Sequence, residues 1–271
     1  MSSSRPVKQK LKFKPRPAIT LLGSALALSM MAYGLFLATR SPLFLVQVVE
    51  IGNLPDHAPV DEAELTRLAD VPVGKVSLFQ LDLSRIENNV LKNSWIREAR
   101  IQKRFPQTVS ISVTFRQPRA LIEGNQGALA YVDQEGTVFG RVTTRQPSNG
   151  SANGYPVLAG LPDSTHVRQV LKFLDAWDGK MKDSPSELAS ITWIPERGYR
   201  ALVVYPLKAN SGAHGRASVD LGQNIDVSDA TEPQLERLGR VLDYLQLKSI
   251  PARQIWADSG KKIVVRTARG S

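Results

Sequence analysis

The sequence predicts an α+β protein: an N-terminal transmembrane helix, then a β-α-α-β-β domain, then a mostly antiparallel β domain with two packed helices. Three observations predict it. Residues 18–39, AITLLGSALALSMMAYGLFLAT, run for 22 positions without a charged side chain. Between residues 61 and 115 the apolar spacing changes from a helical period to strict alternation. Beyond residue 120, short β-like segments divided by turn residues are interrupted by two helical patterns.

The apolar run comes first. A helix rises about 1.5 Å per residue, so these positions reach roughly 33 Å and match a hydrocarbon core of about 30 Å. Arg5, Lys8, Lys10, Lys12, Lys14 and Arg16 precede the run with no acidic residue among them, and Arg40 follows it. The preference of basic residues for the cytoplasmic flank then orients the chain as a type II single-pass protein with its bulk outside the cytoplasm. A cleavable signal has an apolar core of about 7–15 residues and an A-x-A-like site. This run is longer and exits through Ala38-Thr39-Arg40-Ser41-Pro42, so an uncleaved anchor is expected.

The same tail explains the charge. The chain carries +10 overall, but six of its 35 basic residues lie in the first 17 positions. The rest holds 29 basic against 25 acidic residues, a balance of +4. That excess reads as a topology signal and an attraction to anionic lipid heads, so no nucleic-acid partner is expected. Cysteine is absent, which removes disulfides, zinc ribbons and thiol chemistry.

A strand is expected at 44–52. Asp61-x-x-Glu64 resembles a capping box that opens a helix to about Ala69, with Leu65 and Leu68 on one face and Pro72 and Gly74 beyond its end. A second helix is expected from about Asp82, where Leu83, Ile86, Val90 and Leu91 recur. Residues 99–104 then alternate, Phe105-Pro106-Gln107 turns, and 108–115 alternate again with Val109, Ile111, Val113 and Phe115 on one face. In the second domain, strands at 128–132 and 137–142 flank the turn at 133–136, followed by a polar loop at 143–154. A helix from about Thr165 to Trp177 turns Val167, Val170, Leu171 and Leu174 inward. Strands follow at 189–194, 200–205 and 217–221, the last reached through a tip at 208–216. A helix over 232–247 carries Leu235, Leu238, Val241, Leu242 and Leu245, and a closing hairpin pairs 254–257 with 262–266.

The β-α-α-β-β order beside a membrane anchor resembles a POTRA domain, a module that docks other polypeptides. The stretch WIREARIQKRFPQTVSISVTFRQPRA at 95–120 resembles the most distinctive part of the FtsQ/DivIB cell-division family. Trp95-Ile96, Lys103-Arg104, Phe105-Pro106, Val109-x-Ile111, Pro118 and Ala120 fill its positions. Further on, Val132-Asp133-x-x-Gly136-x-Val138-Phe139, Pro156-Val157-Leu158-Ala159-Gly160 and Val219-Asp220-Leu221-Gly222 resemble later parts of the family pattern in the same order. Phe115 stands where the family usually has Glu, and Gln254-x-Trp256 where it often has Asp-x-Arg. The resemblance implies a divisome scaffold of the bacterial inner membrane that joins early division components to septal peptidoglycan synthesis. It also implies that the C-terminal β domain binds the coiled-coil division proteins FtsB and FtsL. The parts expected are a cytoplasmic tail at 1–17, the span at 18–39, the POTRA domain at 44–116, the β domain at 117–266 and a tail at 267–271.

The final strand is the first candidate for partner binding, because an edge strand offers unpaired N–H and C=O groups to an added strand. Ile263 and Val265 are expected to present one face of it and Val264 the other, with Lys261, Lys262 and Arg266 attracting an acidic segment. The resemblance places partner contacts at Trp256, Ala257, Asp258, Ser259, Gly260 and Val265, and near Arg197. Lys103 and Arg104 are candidates for a recruitment surface, whereas Trp95 reads as a core anchor. His57, His166 and His214 stand apart at no metal-ligand spacing, and G-x-S-x-G and H-E-x-x-H do not occur. The chain is therefore read as non-enzymatic, with no cofactor or metal. The alternative reading is another POTRA-containing envelope protein that docks transported or outer-membrane polypeptides.

Overall fold

The computed structural model describes residues 17–39, 41–52, 54–142, 154–207, 213–225, 231–258 and 262–267. The basic tail, most of the predicted loop at 143–154, part of the tip at 208–216, and Ser259, Gly260 and Lys261 lie outside the described residues. The first element, α1 (Pro17–Thr39), is a single 23-residue helix without a charged side chain. Among the described residues, no helix is long and apolar enough to cross a membrane. The backbone of α1 is described throughout and its side chains at 23–34, 36 and 37. By its internal contacts the chain divides into two compact units, Met1–Thr114 and Phe115–Ser271.

The first unit contains β1 (Val48–Ile51), α2 (Glu62–Ala69), α3 (Leu83–Val90), β2 (Ile96–Arg104) and β3 (Thr108–Phe115). Its sheet has the order β1-β3-β2, with β1 parallel to β3. Both helices begin on an aspartate: Asp61 accepts from the Glu64 N–H at 2.7 Å and Asp82 from the Arg85 N–H at 3.1 Å. These contacts satisfy donors that a helix N-terminus leaves open. The end of α2 comes at Asp70, which turns left-handed at φ 46°, two residues before Pro72. Val46, Leu65, Ala69, Ile86, Val90, Ile96, Val109 and Ile111 are buried in the core of this unit.

Four local expectations are corrected. The strand predicted from residue 44 begins at Val48, because Pro42–Phe44 forms a 3-10 turn capped by Ser41 and Leu45 makes only an isolated bridge to Ser77. The strand predicted from Ala99 begins at Ile96. Ile96 is the buried residue of the Trp95-Ile96 pair and Trp95 is half-buried, so the core anchor is the isoleucine. Leu91 lies past the end of α3 and is exposed.

The second unit contains β4 (Ala120–Glu123), β5 (Leu129–Val132), β6 (Val138–Phe139), β7 (Val157–Ala159), α4 (Ser164–Lys180), β8 (Glu187–Ile194), β9 (Gly198–Pro206), β10 (His214–Gly222), α5 (Thr231–Leu247), β11 (Ala252–Trp256) and β12 (Val264–Thr267). Its nine strands form one sheet in the order β12-β11-β10-β9-β8-β7-β4-β5-β6. Five of the eight pairings are antiparallel; β4–β7, β7–β8 and β10–β11 are parallel. Two of the parallel joints enclose a helix, α4 between β7 and β8 and α5 between β10 and β11. A parallel pair needs such a crossover, and the two crossovers put both helices on one core. Val167, Val170, Leu171, Phe173, Leu174 and Trp177 of α4 and Leu235, Leu238, Leu242 and Leu245 of α5 pack there with Leu158, Ile191, Ala201, Val219 and Ile255 of the sheet.

Asp163 starts α4 by accepting from the N–H groups of Thr165 at 2.7 Å and His166 at 3.0 Å. His166 Nδ1 lies 2.9 Å from the same carboxylate. The hydrogen bond with the His166 side chain, helped by its backbone N–H, lowers the Asp163 pKa to about 2.

Candidate functional site

The end of the nine-stranded sheet at β12 is the candidate interaction edge. Val264, Val265 and Arg266 of β12 lie opposite Trp256, Ile255 and Gln254 of β11. On the other side β11 runs parallel to β10, with Gln254, Ile255 and Trp256 opposite Ser218, Val219 and Asp220. Among the described residues no strand pairs with the outer side of β12.

The register decides which side chains face out, since paired residues share a face and successive residues alternate. Ile255 and Val219 belong to the helix-covered core, so Val265 faces inward with them and packs against that core. Val264 points the other way and is 53% exposed. It heads a cross-strand row of Val264, Trp256, Asp220 and Arg200 on the face opposite the helices.

That row is tied by polar contacts. Asp220 accepts from Arg200 Nε at 2.7 Å through one oxygen and from Gln254 Nε2 at 2.7 Å through the other. Arg200 and Asp220 are 30% and 18% exposed, so this pair is shielded more than most surface ion pairs. Gln254 thus has a defined task in this chain: it fixes the carboxylate beside Trp256.

Close packing builds the turn end of the site. Gly198 has φ +85°, and a Cβ there would lie 2.2 Å from the carbonyl oxygen of Gly222, so only glycine fits. Gly222 in turn sits against Asp258, whose Cβ is 3.2 Å from where a Gly222 Cβ would be. These contacts gather the turn at 195–197, the end of β10 and the start of the last hairpin loop at one end of the sheet. Ala257 is buried, its N–H donates to the Asp220 carbonyl at 2.9 Å, and its own carbonyl accepts from Gln234 Nε2 of α5.

The predicted site residues therefore separate. Trp256 is half-buried on the outward row, while Asp258 and Arg197 are exposed at the turn end. Ala257 serves the backbone geometry. Ile263 and Val265 do not present an outward face: both are partly buried and packed against the core. The last strand also begins at Val264, with Lys262 and Ile263 ahead of it. Ile263 and Val265 thus share one face and Val264 takes the other, as expected, but the shared face is the one turned to the core, and the strand starts two residues later than expected. Val264 and the Arg200–Asp220–Gln254 ladder complete the edge, and sequence reading did not single out the ladder. Ser259 and Gly260 lie outside the described residues.

In the first unit, Lys103 is half-buried near the end of β2 and Arg104 is exposed. Arg104 is not a bare charge, because its Nη1 meets Glu50 Oε2 at 3.0 Å. His57 and His214 are exposed in separate units, and His166 packs edge-on to Trp193 with ring centroids 4.9 Å apart. A cavity of about 540 Å³ beside α4 is lined among others by Arg119, Trp177, Asp178 and Ser186. Arg119 bridges Asp175 at 3.2 Å and Asp178 at 2.7 Å there, which ties β4 to α4.

Comparison with known proteins supplies the family. The model of the FtsQ-type POTRA domain matches residues 57–115, and the model of the C-terminal region of cell division protein FtsQ/DivIB matches residues 120–255. The chain is 26% identical over 262 residues to cell division protein FtsQ of Geotalea daltonii (strain DSM 22248 / JCM 15807 / FRC-32), covering 90% of this chain and 84% of the relative. It is 28% identical over 258 residues to cell division protein FtsQ of Myxococcus fulvus (strain ATCC BAA-855 / HW-1), covering 89% and 81%. A third relative, cell division protein FtsQ of Geobacter sp. (strain M21), is 24% identical over 224 residues, 78% of this chain and 75% of its own length. Two family models in the right order, the second over half of the chain, leave one conclusion: this chain belongs to the FtsQ/DivIB family of cell division proteins.

Proposed function

We propose that this chain is a membrane-anchored, non-enzymatic scaffold that links early cell-division components to septal peptidoglycan synthesis by binding other division proteins outside the cytoplasm. The outer side of β12, on which no described strand pairs at the end of a nine-stranded sheet, is the observation that carries the reading. A partner segment laid along it would satisfy the outer N–H and C=O groups as a tenth strand. Trp256 and Val264 would give that segment an apolar contact on the uncovered face, and Lys262 and Arg266 would favour acidic residues in it. A coiled-coil division protein of the FtsB/FtsL kind, with an extended segment beyond its helix, fits these demands. The 23-residue uncharged helix α1 and the basic tail before it support an inner-membrane anchor with a cytoplasmic N-terminus. In this arrangement 44–116 is the docking domain that follows the anchor in sequence and 117–266 the partner-binding domain, with Lys103 and Arg104 as the recruitment candidates.

Binding of a purified FtsB/FtsL-type coiled-coil complex tests the edge. Val264→Glu and Trp256→Ala should each weaken binding about tenfold or more, equal to about 1.4 kcal/mol. Unchanged affinity in both variants would remove β12 as the docking edge. In cells, a fluorescent fusion should collect at mid-cell and depletion should give filaments with unfinished septa. Normal septa with faulty outer-membrane assembly would instead favour the envelope-transport reading.

A further inference from the structure

Three phenylalanines of the first unit meet at its surface although they come from three separate segments. Phe44 ends the 3-10 turn after α1, Phe79 lies in the loop before α3, and Phe105 lies in the turn between β2 and β3. Their ring centroids are 5.0 Å apart for Phe44–Phe79, 5.2 Å for Phe79–Phe105 and 6.4 Å for Phe44–Phe105. Backbone bonds hold the three segments together: Leu78 N–H donates to the Phe44 carbonyl at 2.8 Å, and Gln47 N–H donates to the Gln107 carbonyl at 2.9 Å. The cluster is built, yet it is not core. Phe79 is 46% exposed, Phe105 57% and the neighbouring Leu43 68%. Exposed rings gathered from separate segments differ from apolar residues scattered singly, and such a gathering is the kind of surface that marks an interaction site.

The chain itself says what lies nearest. Phe44 follows Thr39, the last residue of α1, by five positions. At about 3.3–3.6 Å per residue, its Cα cannot lie farther than roughly 18 Å from the helix end. The polar zone of a bilayer leaflet is itself about 5–8 Å thick outside the hydrocarbon core. If α1 spans the membrane, Phe44 is held within about 18 Å of the hydrocarbon boundary, which keeps the headgroup zone within reach of the patch. Lys75, exposed in the loop that carries Phe79, and Lys103, two residues before Phe105, add the positive charge that lipid phosphates attract.

We propose that Phe44, Phe79 and Phe105, together with Leu43, seat this end of the domain in the lipid interface and so fix its height over the membrane. The inference rests on the anchor reading of α1 and adds a second, reversible contact to it. Apolar side chains on a basic surface bind in this way, with their rings at the boundary of headgroups and acyl chains.

The absence of native cysteine makes the test direct. Full-length chain carrying Phe79→Cys, Phe105→Cys or, as a distant reference, Arg253→Cys is spin-labelled and reconstituted into vesicles of phosphatidylethanolamine and phosphatidylglycerol. Collision rates with oxygen and with a water-soluble nickel complex then give the label depth. Labels at 79 and 105 should lie about 5–10 Å inside the headgroup boundary, and the label at 253 in water. Because each of those substitutions removes one ring, a label on Gln80→Cys reads the intact cluster. It should move from the interface into water when Phe79→Ser and Phe105→Ser are added. Aqueous labels at 79, 80 and 105 on carbonate-resistant, inserted protein would overturn the proposal while leaving the anchor standing, and would hand the patch to a protein partner. Extraction of the whole chain by carbonate would overturn the anchor reading and this proposal with it.

Discussion

Tyr205 shows how one buried polar group organises the C-terminal unit. Its ring lies where any side chain on Gly215 would go, 2.6 Å from the position of a Cβ, so β9 and β10 approach closely only because residue 215 has none. Its hydroxyl has no solvent contact through the residue, donates to the Ile250 carbonyl at 3.0 Å and accepts from the Ala252 N–H at 2.7 Å. Two hydrogen bonds thereby fasten the start of β11, and through it the edge, to the middle of the sheet. Tyr205→Phe keeps the ring and orphans both backbone groups, which should cost about 1–3 kcal/mol in chemical denaturation. Burial raises the Tyr205 pKa from 10.0, and the Ala252 N–H offsets this in part. A raised folded-state pKa means the folded chain holds the phenol proton more tightly than the unfolded chain does. The associated stability is complete below pH 10 and is lost as pH rises toward the folded value. The stability gap between the parent and Tyr205→Phe should therefore be flat up to about pH 10 and narrow above it. A gap that widens with alkali would show that the hydroxyl is not held in this way.

At the scale of elements, β12 is where stability and recognition divide between neighbouring residues. Val265 and Ile263 pack on the core and Val264 does not, so a charge at each should act differently. Val265→Glu and Ile263→Glu should each cost about 1–3 kcal/mol for a carboxylate placed against apolar surface. Val264→Glu should stay within about 0.5 kcal/mol, as exposed substitutions do. Denaturant midpoints of the three variants check this, and equal losses in all three would refute the register. The sequence could not announce this register. Ile263, Val264 and Val265 are three β-branched residues in succession, so alternation is silent about which faces in. Strands β4 and β7, four and three residues long, are too short to show a period and take their place from β5 and β8 beside them. The helices were legible for the opposite reason: Asp61 and Asp82 stand at N-caps ahead of clear apolar stripes, and Val167, Val170, Leu171 and Leu174 mark α4. The Gln254–Asp220–Arg200 ladder joins residues 34 and 20 positions apart. Only the pairing of three strands brings them together, and local pattern carries no trace of that.

At the scale of the whole chain, the distribution of charge and apolar length carries the proposed topology. The first 17 residues hold six basic and no acidic side chains, and α1 follows them at once. Moving those six charges across a bilayer is far costlier than moving the +4 balance of the remainder, because long segments translocate largely regardless of charge. The orientation is thereby a prediction that the cysteine-free background makes easy to read. In intact cells whose outer membrane has been permeabilised, a membrane-impermeant maleimide should label Arg253→Cys and Gln80→Cys nearly completely and leave Ser3→Cys at background. Lysis should bring Ser3→Cys to the same level as the others. Removal of charge at Arg5, Lys8, Lys10, Lys12, Lys14 and Arg16 together should produce a fraction of chains with the labelling reversed, since the lone Arg40 on the far flank would then carry the bias. Label on Ser3→Cys before lysis in the parent chain would refute the orientation, and would place the β12 edge in the cytoplasm, away from any partner that acts outside it.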